Sequence, residues 1–128
     1  MRAADGAIEK AKIIDRVMKY QTINDKKAVG ICGSGILDLV ATLREADVIN
    51  ERGNFDHDYP NVRPSSRNYE FVIVDKENAG IEDDITITRS DINEIILAKS
   101  AIRSGIDILL IEAGLTADAI EEFIVAGA

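Results

Sequence analysis

Gly30-Ile31-Cys32-Gly33-Ser34-Gly35-Ile36-Leu37-Asp38-Leu39 places three glycines in six residues immediately before an amphipathic run of Ile36, Leu37, Leu39, Val40 and Leu43. The pattern predicts a tight glycine loop that opens a helix. Glycine admits positive φ and lets another backbone or a ligand come close. The first turn of such a helix carries unpaired N–H groups and the positive end of the helix dipole. That pairing suits an anion or a nucleotide sugar-phosphate. The same residues also serve a plain loop in which Ser34 caps the helix. Gly-x-x-Gly-x-Gly is neither the Walker pattern nor the dinucleotide fingerprint, so spacing alone leaves both readings open.

At 128 residues the chain suits one domain or one lobe of something larger. Its 46% hydrophobic content supports a real core, and the lack of tryptophan makes that core aliphatic. A formal charge of −8 argues against a nucleic-acid backbone or an anionic membrane as partner. The single cysteine, Cys32, excludes an internal disulfide and a cysteine-based metal cluster, and fits a reducing, cytoplasmic setting. No apolar run reaches the roughly 18 residues of a membrane span, and no secretory signal is visible. The chain closes on Phe123-Ile124-Val125-Ala126-Gly127-Ala128, apolar and strand-like without a polar tail. That ending predicts a fragment, with residues 1–128 forming one partial domain.

Taken in order, residues 8–23 predict a hairpin that turns at Asp15-Arg16, followed by a turn at Asn24-Asp25-Lys26-Lys27. The helix beyond the glycine loop should run from about Ser34 to Ala46. Residues 55–68, polar and carrying Pro60 and Pro64, predict a long surface loop. Tyr69–Val74 and Ile85–Thr88 predict strands joined by an acidic connection around Gly80. Thr88 or Ser90 then caps the main helix, with Asp91 and Glu94 in its first turn. Ile92, Ile95, Ile96, Ile102, Ile106, Leu109, Leu110 and Ala113 form its apolar stripe. Leu97, Ile108 and Ile111 lie off the stripe, which predicts a helix covered on more than one side. Gly114 stops it, and a capped turn and a final strand over Glu122–Ala126 follow.

No nucleophile–base pair is visible, so no catalytic residue and no metal ligand is assigned. Cys32, at a helix start that would stabilise a thiolate, reads as a small buried thiol. His57, between Asp56 and Asp58, reads as a solvated loop residue; so do Arg63 and Arg67, although two arginines could hold a phosphate. Asp38, one turn into the first helix, is a carboxylate that could accept hydrogen bonds from a ribose. At the other end, a strand running into Ala126-Gly127-Ala128 would let a nucleotide lie against bare backbone.

These stretches carry a resemblance. Met1-Arg2-Ala3, Gly6-Ala7-Ile8-Glu9, Gly30–Asp38, Glu51-Arg52-Gly53, Asp91-Ile92, Leu97-Ala98-Lys99-Ser100-Ala101-Ile102, Gly105-Ile106 and Ala126-Gly127-Ala128 follow one family in order. The chain resembles the C-terminal ATPase region of the reductive activators of corrinoid proteins, over nearly its whole length. The resemblance implies an α/β fold: one lobe of an actin-like, ribonuclease H-like ATPase of the acetate and sugar kinase, heat-shock and actin superfamily, a mixed sheet with a long packed helix. It implies ATP, with Mg²⁺ in the full-length protein, and an iron–sulfur cluster in a domain outside this chain. The implied role is restoring Co(I) in a corrinoid methyl-transfer protein, in anaerobic one-carbon metabolism. By fold-level analogy Gly33, Ser34, Gly35 and Asp38 face the ribose or α-phosphate, and Gly127 the adenine. The family's phosphate loops and iron–sulfur cysteines are absent here, so this stretch alone is expected to lack activity. Two rival readings remain: a non-catalytic interaction lobe whose acidic surface docks a corrinoid protein or a sister lobe, and a fragment of a sugar or acid kinase relative; a homodimer through the truncated surfaces is expected as well.

Overall fold

The structure, a computed structural model, describes residues 3–66 and 68–124. They fall into two compact units, Met1–Ile95 and Ile96–Ala128.

The first unit starts with the predicted hairpin, β1 (Ala7–Ile14) and β2 (Val17–Thr22), paired antiparallel with Ile14 opposite Val17. Its two turn residues, Asp15 and Arg16, take φ of 51° and 63°. Positive φ at both central positions is the primed turn whose twist matches that of the flanking strands. A two-residue strand β3 (Gly30–Ile31) pairs parallel with the other edge of β1, giving a mixed sheet of order β2-β1-β3. Helix α1 (Gly33–Glu45) comes directly after it and buries Gly35, Ile36, Leu39, Thr42 and Leu43. The Thr42 hydroxyl accepts the Ile13 amide at 2.8 Å, a polar contact that fixes the helix on the hairpin. The helix ends at Ala46, and Asp47 turns the chain with φ of 56°.

A second sheet fills the rest of this unit. Strands β4 (Val62–Ser65), β5 (Asn68–Val74) and β6 (Ile85–Thr88) pair antiparallel in the order β4-β5-β6. Its core is Phe71, Val72, Ile73, Val74, Ile85 and Ile87, all buried. The expected loop over 55–68 is therefore corrected in part: it contains β4, and Phe55 and Tyr59 are buried anchors. Pro64 disguises the strand in the sequence, yet proline is tolerated on an edge strand and β4 is one. Arg63 on β4 reaches Glu70 at 2.7 Å and Asp84 at 2.8 Å, so the cation expected to be free is taken up within the sheet. In the β5–β6 connection, the Gly80 amide donates to the Ala28 carbonyl at 2.7 Å.

Helix α2 (Arg89–Ala113) begins with a reciprocal cap. The Asp91 amide donates to the Thr88 hydroxyl at 3.2 Å, and the Asp91 carboxylate accepts the Thr88 amide at 2.8 Å. Thr88 is thus the cap, and Ser90 is not. In the first unit the helix buries Ile92, while Ile95 is half-buried.

The second unit is the remainder of α2 and the chain beyond it. Gly114, at φ of 66°, ends the helix: its amide meets the Ile111 carbonyl at 3.1 Å, and the Leu115 amide meets that of Leu110 at 2.9 Å. This is the paired C-terminal closure that a left-handed glycine allows. Leu97, Ile102, Ile108, Leu109 and Ile111 are exposed, so a helix expected to be covered on several sides has open apolar faces. A turn of 3-10 helix at Ala117–Ala119 stands where the capped turn was expected, but Thr116 at its N-cap makes no side-chain capping hydrogen bond. Residues 121–124 form no strand, and the rest of the expected final strand, with Gly127, lies outside the described residues. Among the described residues no helix is long and apolar enough to cross a membrane.

Candidate functional site

The glycine stretch forms a strand–turn–helix corner. Strand β3 hands the chain to Cys32, which occupies the N-cap of α1 with extended φ and ψ of −89° and 177°. The expected capping serine is thereby corrected: Ser34 lies inside the first turn, and the N-cap side chain makes no capping hydrogen bond. Both polar ends of Cys32 point back to β1. Its amide donates to the Ile8 carbonyl at 3.0 Å, and its Sγ lies 3.2 Å from the same oxygen. The Sγ is also 3.2 Å from the Ser34 Oγ. That hydrogen bond holds the Cys32 thiol below its ordinary pKa, against the opposing effect of burial. The amides of Gly35 and Ser34 act in the same direction as the serine hydroxyl.

The structure separates the site residues read from the sequence. Gly33, Ser34 and Asp38 are exposed, and Asp38 lies one turn beyond Ser34, so the two share a helix face. A side chain at Gly33 would meet nothing within 4 Å, which leaves that backbone open to an approaching group. Gly35 points the other way. A Cβ there would overlap the carbonyl oxygen of Ile8 and come within 2.8 Å of its carbon. Gly35 is thus needed for the packing of α1 on β1. Gly127 lies outside the described residues.

Two features escaped the sequence. An apolar cleft of about 450 Å³ runs between Val29, Ile31 and Ile36 on one side and Ile85, Ile87 and Ile95 on the other. It joins residues about fifty or more positions apart in the chain, and local periodicity carries no such information. A polar hollow of about 760 Å³ lies at the start of α2, lined by Ser65, Asn68, Tyr69, Arg89 and Asn93 among others. His57 stacks on Tyr69 with ring centroids 3.8 Å apart, so it has a partner rather than only solvent. Arg67 lies outside the described residues. Among the described residues, no group of histidine, cysteine and carboxylate side chains is placed to hold a metal.

The profile of the C-terminal domain of RACo, the ASKHA domain, matches residues 1–128. The chain belongs to this family. Within it, the corrinoid activation enzyme RamQ of Eubacterium limosum is 34% identical over a 138-residue alignment, covering all of this chain and 23% of RamQ. A solved structure of a reductive activator for corrinoid, iron–sulfur protein superposes with a TM-score of 0.89 at 38% identity, covering 95% of this chain and 20% of that one. The α/β architecture of an ASKHA lobe is thus established, and the chain spans about a fifth to a quarter of these relatives. The corner of β3, Cys32 and α1 is part of this ASKHA domain, with Gly33, Ser34 and Asp38 on its open side.

Proposed function

We propose that this chain is the nucleotide-binding part of an ATP-dependent reductive activator that restores Co(I) in a corrinoid protein. The observation that carries the reading is the ASKHA-domain match over residues 1–128, with both relatives named as corrinoid activators. The open backbone at Gly33 and the polar face of Ser34 and Asp38 support nucleotide contact at the start of α1. ATP is the nucleotide, bound with Mg²⁺ in the full-length protein, and the iron–sulfur cluster that supplies the electron lies outside this chain. The partner is a corrinoid methyl-transfer protein, and the setting is the cytoplasm of an anaerobic one-carbon metabolism. The kinase reading loses ground because both relatives are named for corrinoid activation.

The test is optical. The full-length protein, given a reductant and an inactive Co(II) corrinoid protein, should form the Co(I) spectrum only with ATP. Ser34→Ala and Asp38→Asn should each weaken ATP binding. Equal activation with and without ATP would overturn the reading and favour a lobe that only docks the corrinoid protein. Phosphoryl chemistry rests on positioning and charge stabilisation, and no phosphate loop is read in this sequence. Residues 1–128 alone should therefore show no ATP turnover, and a rate on the order of 1 s⁻¹ would contradict that.

A further inference from the structure

Arg89 is half-buried and, among the described residues, has no carboxylate within ion-pairing distance. Its Nε donates to the Asn54 side-chain oxygen at 3.1 Å and its Nη2 to the Arg52 main-chain carbonyl at 2.6 Å, both neutral acceptors. The third nitrogen, Nη1, is closed off from solvent and meets no acceptor. Arg63 is the contrast, with Glu70 and Asp84 both against it. A shielded cation is costly unless an anion or a full set of hydrogen bonds compensates it. An orphaned buried donor in a folded chain therefore calls for a partner.

Arg89 also lines the polar hollow of about 760 Å³, a volume within the range of small-molecule sites. Ser65, Ser66, Asn68, Ser90 and Asn93 stand around it, neutral side chains that both donate and accept. Asp91 is the one carboxylate among the described lining residues, and its Oδ2 is already taken by the Thr88 amide and hydroxyl. The arginine fork matches a phosphate, whose remaining oxygens need several more donors. Hydroxyls and side-chain amides supply them here. We propose that this hollow binds the phosphate group of a small, polar phosphorylated compound, with Arg89 as its charged contact. Nη1 reaches the ligand by rotation of the guanidinium, which two neutral partners resist less than a carboxylate would. The hollow shares no residue with the corner of Gly33, Ser34 and Asp38, so it is a second site and does not depend on the nucleotide reading.

The experiment measures glycerol 3-phosphate binding to the full-length protein by equilibrium dialysis, with and without a saturating non-hydrolysable ATP analogue. The wild type should bind it at millimolar concentration or below in both conditions, with inorganic phosphate competing and glycerol not. Arg89→Gln should weaken binding by about ten- to hundredfold, the worth of a hydrogen bond to a charged group. Asn93→Asp keeps Arg89 in place, sits on an exposed position, and suits the first turn of a helix. It puts a further negative charge into the hollow and should weaken binding by about tenfold or more, through like-charge repulsion that a purely structural Arg89 would not produce. No binding by the wild type would overturn the proposal. So would unchanged affinity in Asn93→Asp, whatever Arg89→Gln does, and displacement by the analogue in that variant would then put the phosphate in the nucleotide site.

Discussion

Gly35 and Ile8 are packed so closely that the α-carbon of the one leaves no room for a side chain over the peptide of the other. The contact joins the first turn of α1 to the strand at the centre of the mixed sheet, and with it the position of every residue on the open side of the corner. Gly33, two residues earlier, has no such neighbour. Two glycines of one motif therefore do different work, one in packing and one at the surface.

Gly35→Ala should consequently cost stability, and Gly33→Ala should not. Overpacking against backbone typically costs about 1–3 kcal/mol, since Ile8 cannot move without disturbing β1. At Gly33 the added methyl meets open space, and alanine is about 1 kcal/mol better than glycine inside a helix. Chemical denaturation of the two variants should show opposite signs. Equal stability would mean that α1 can shift away from β1 freely.

At the cap of α2 the expected outcome is a loss of about 1 kcal/mol, within a range of about 0.5–2, for Thr88→Ala. Both partners of the reciprocal pair are lost at once, because the hydroxyl and the orientation of the Asp91 carboxylate depend on each other. Ser90→Ala, one residue into the helix, should change stability by much less. A larger effect at Ser90 than at Thr88 would reassign the cap.

The hairpin, α1, both later strands and the cap of α2 were legible because each is a local pattern: a two-residue turn, a 3.6-residue stripe, alternation, a capping box. What was not legible depended on distance. Strand β4 is polar, with Arg63, Pro64 and Ser65, and becomes a strand because β5 lies beside it and Glu70 and Asp84 neutralise its arginine. Ser34 reads as the cap because serine prefers that position, yet the N-cap falls two residues sooner, at Cys32 directly after β3. The inward role of Gly35 is a property of Ile8, twenty-seven positions away, and no motif encodes it.

Acid should weaken the second sheet through Asp84. The amide of Lys76 and then the Arg63 guanidinium hold its carboxyl below the ordinary carboxylate range. A depressed folded pKa means that the group's stabilisation is complete above its unfolded value, about 4, and is lost as pH falls through the lower folded value. Arg63, pushed further up by Glu70 and Asp84, stays charged throughout. Stability should therefore drop below about pH 4, and Asp84→Asn should flatten that part of the profile. An unchanged slope in the variant would assign the acid sensitivity to other carboxylates.

The C-terminal unit makes the remaining prediction, which concerns association. Its helix carries Ile102 and Leu109 on one stripe and Leu97, Ile108 and Ile111 off it, with Leu109 70% and Ile111 75% exposed. Leu115, Phe123 and Ile124 are exposed as well. Contiguous apolar surface beyond about a few hundred Å² is uncommon on a monomer and marks contact with another protein surface. In residues 1–128 alone the surface to hand is a second copy, so a dimer should form at micromolar concentration. The formal charge of −8 opposes the approach of two copies. Salt shortens the range of that repulsion to about 8 Å at 0.15 M and about 3 Å at 1 M, so the dimer should tighten as salt rises. Replacing Ile102 and Leu109 together by glutamine keeps charge and length but removes apolar area, and should shift the dimer towards monomer at every salt concentration. Light scattering over a concentration series at two ionic strengths measures both effects. A monomer at high salt and high concentration would show that these side chains are ordinary surface in this chain.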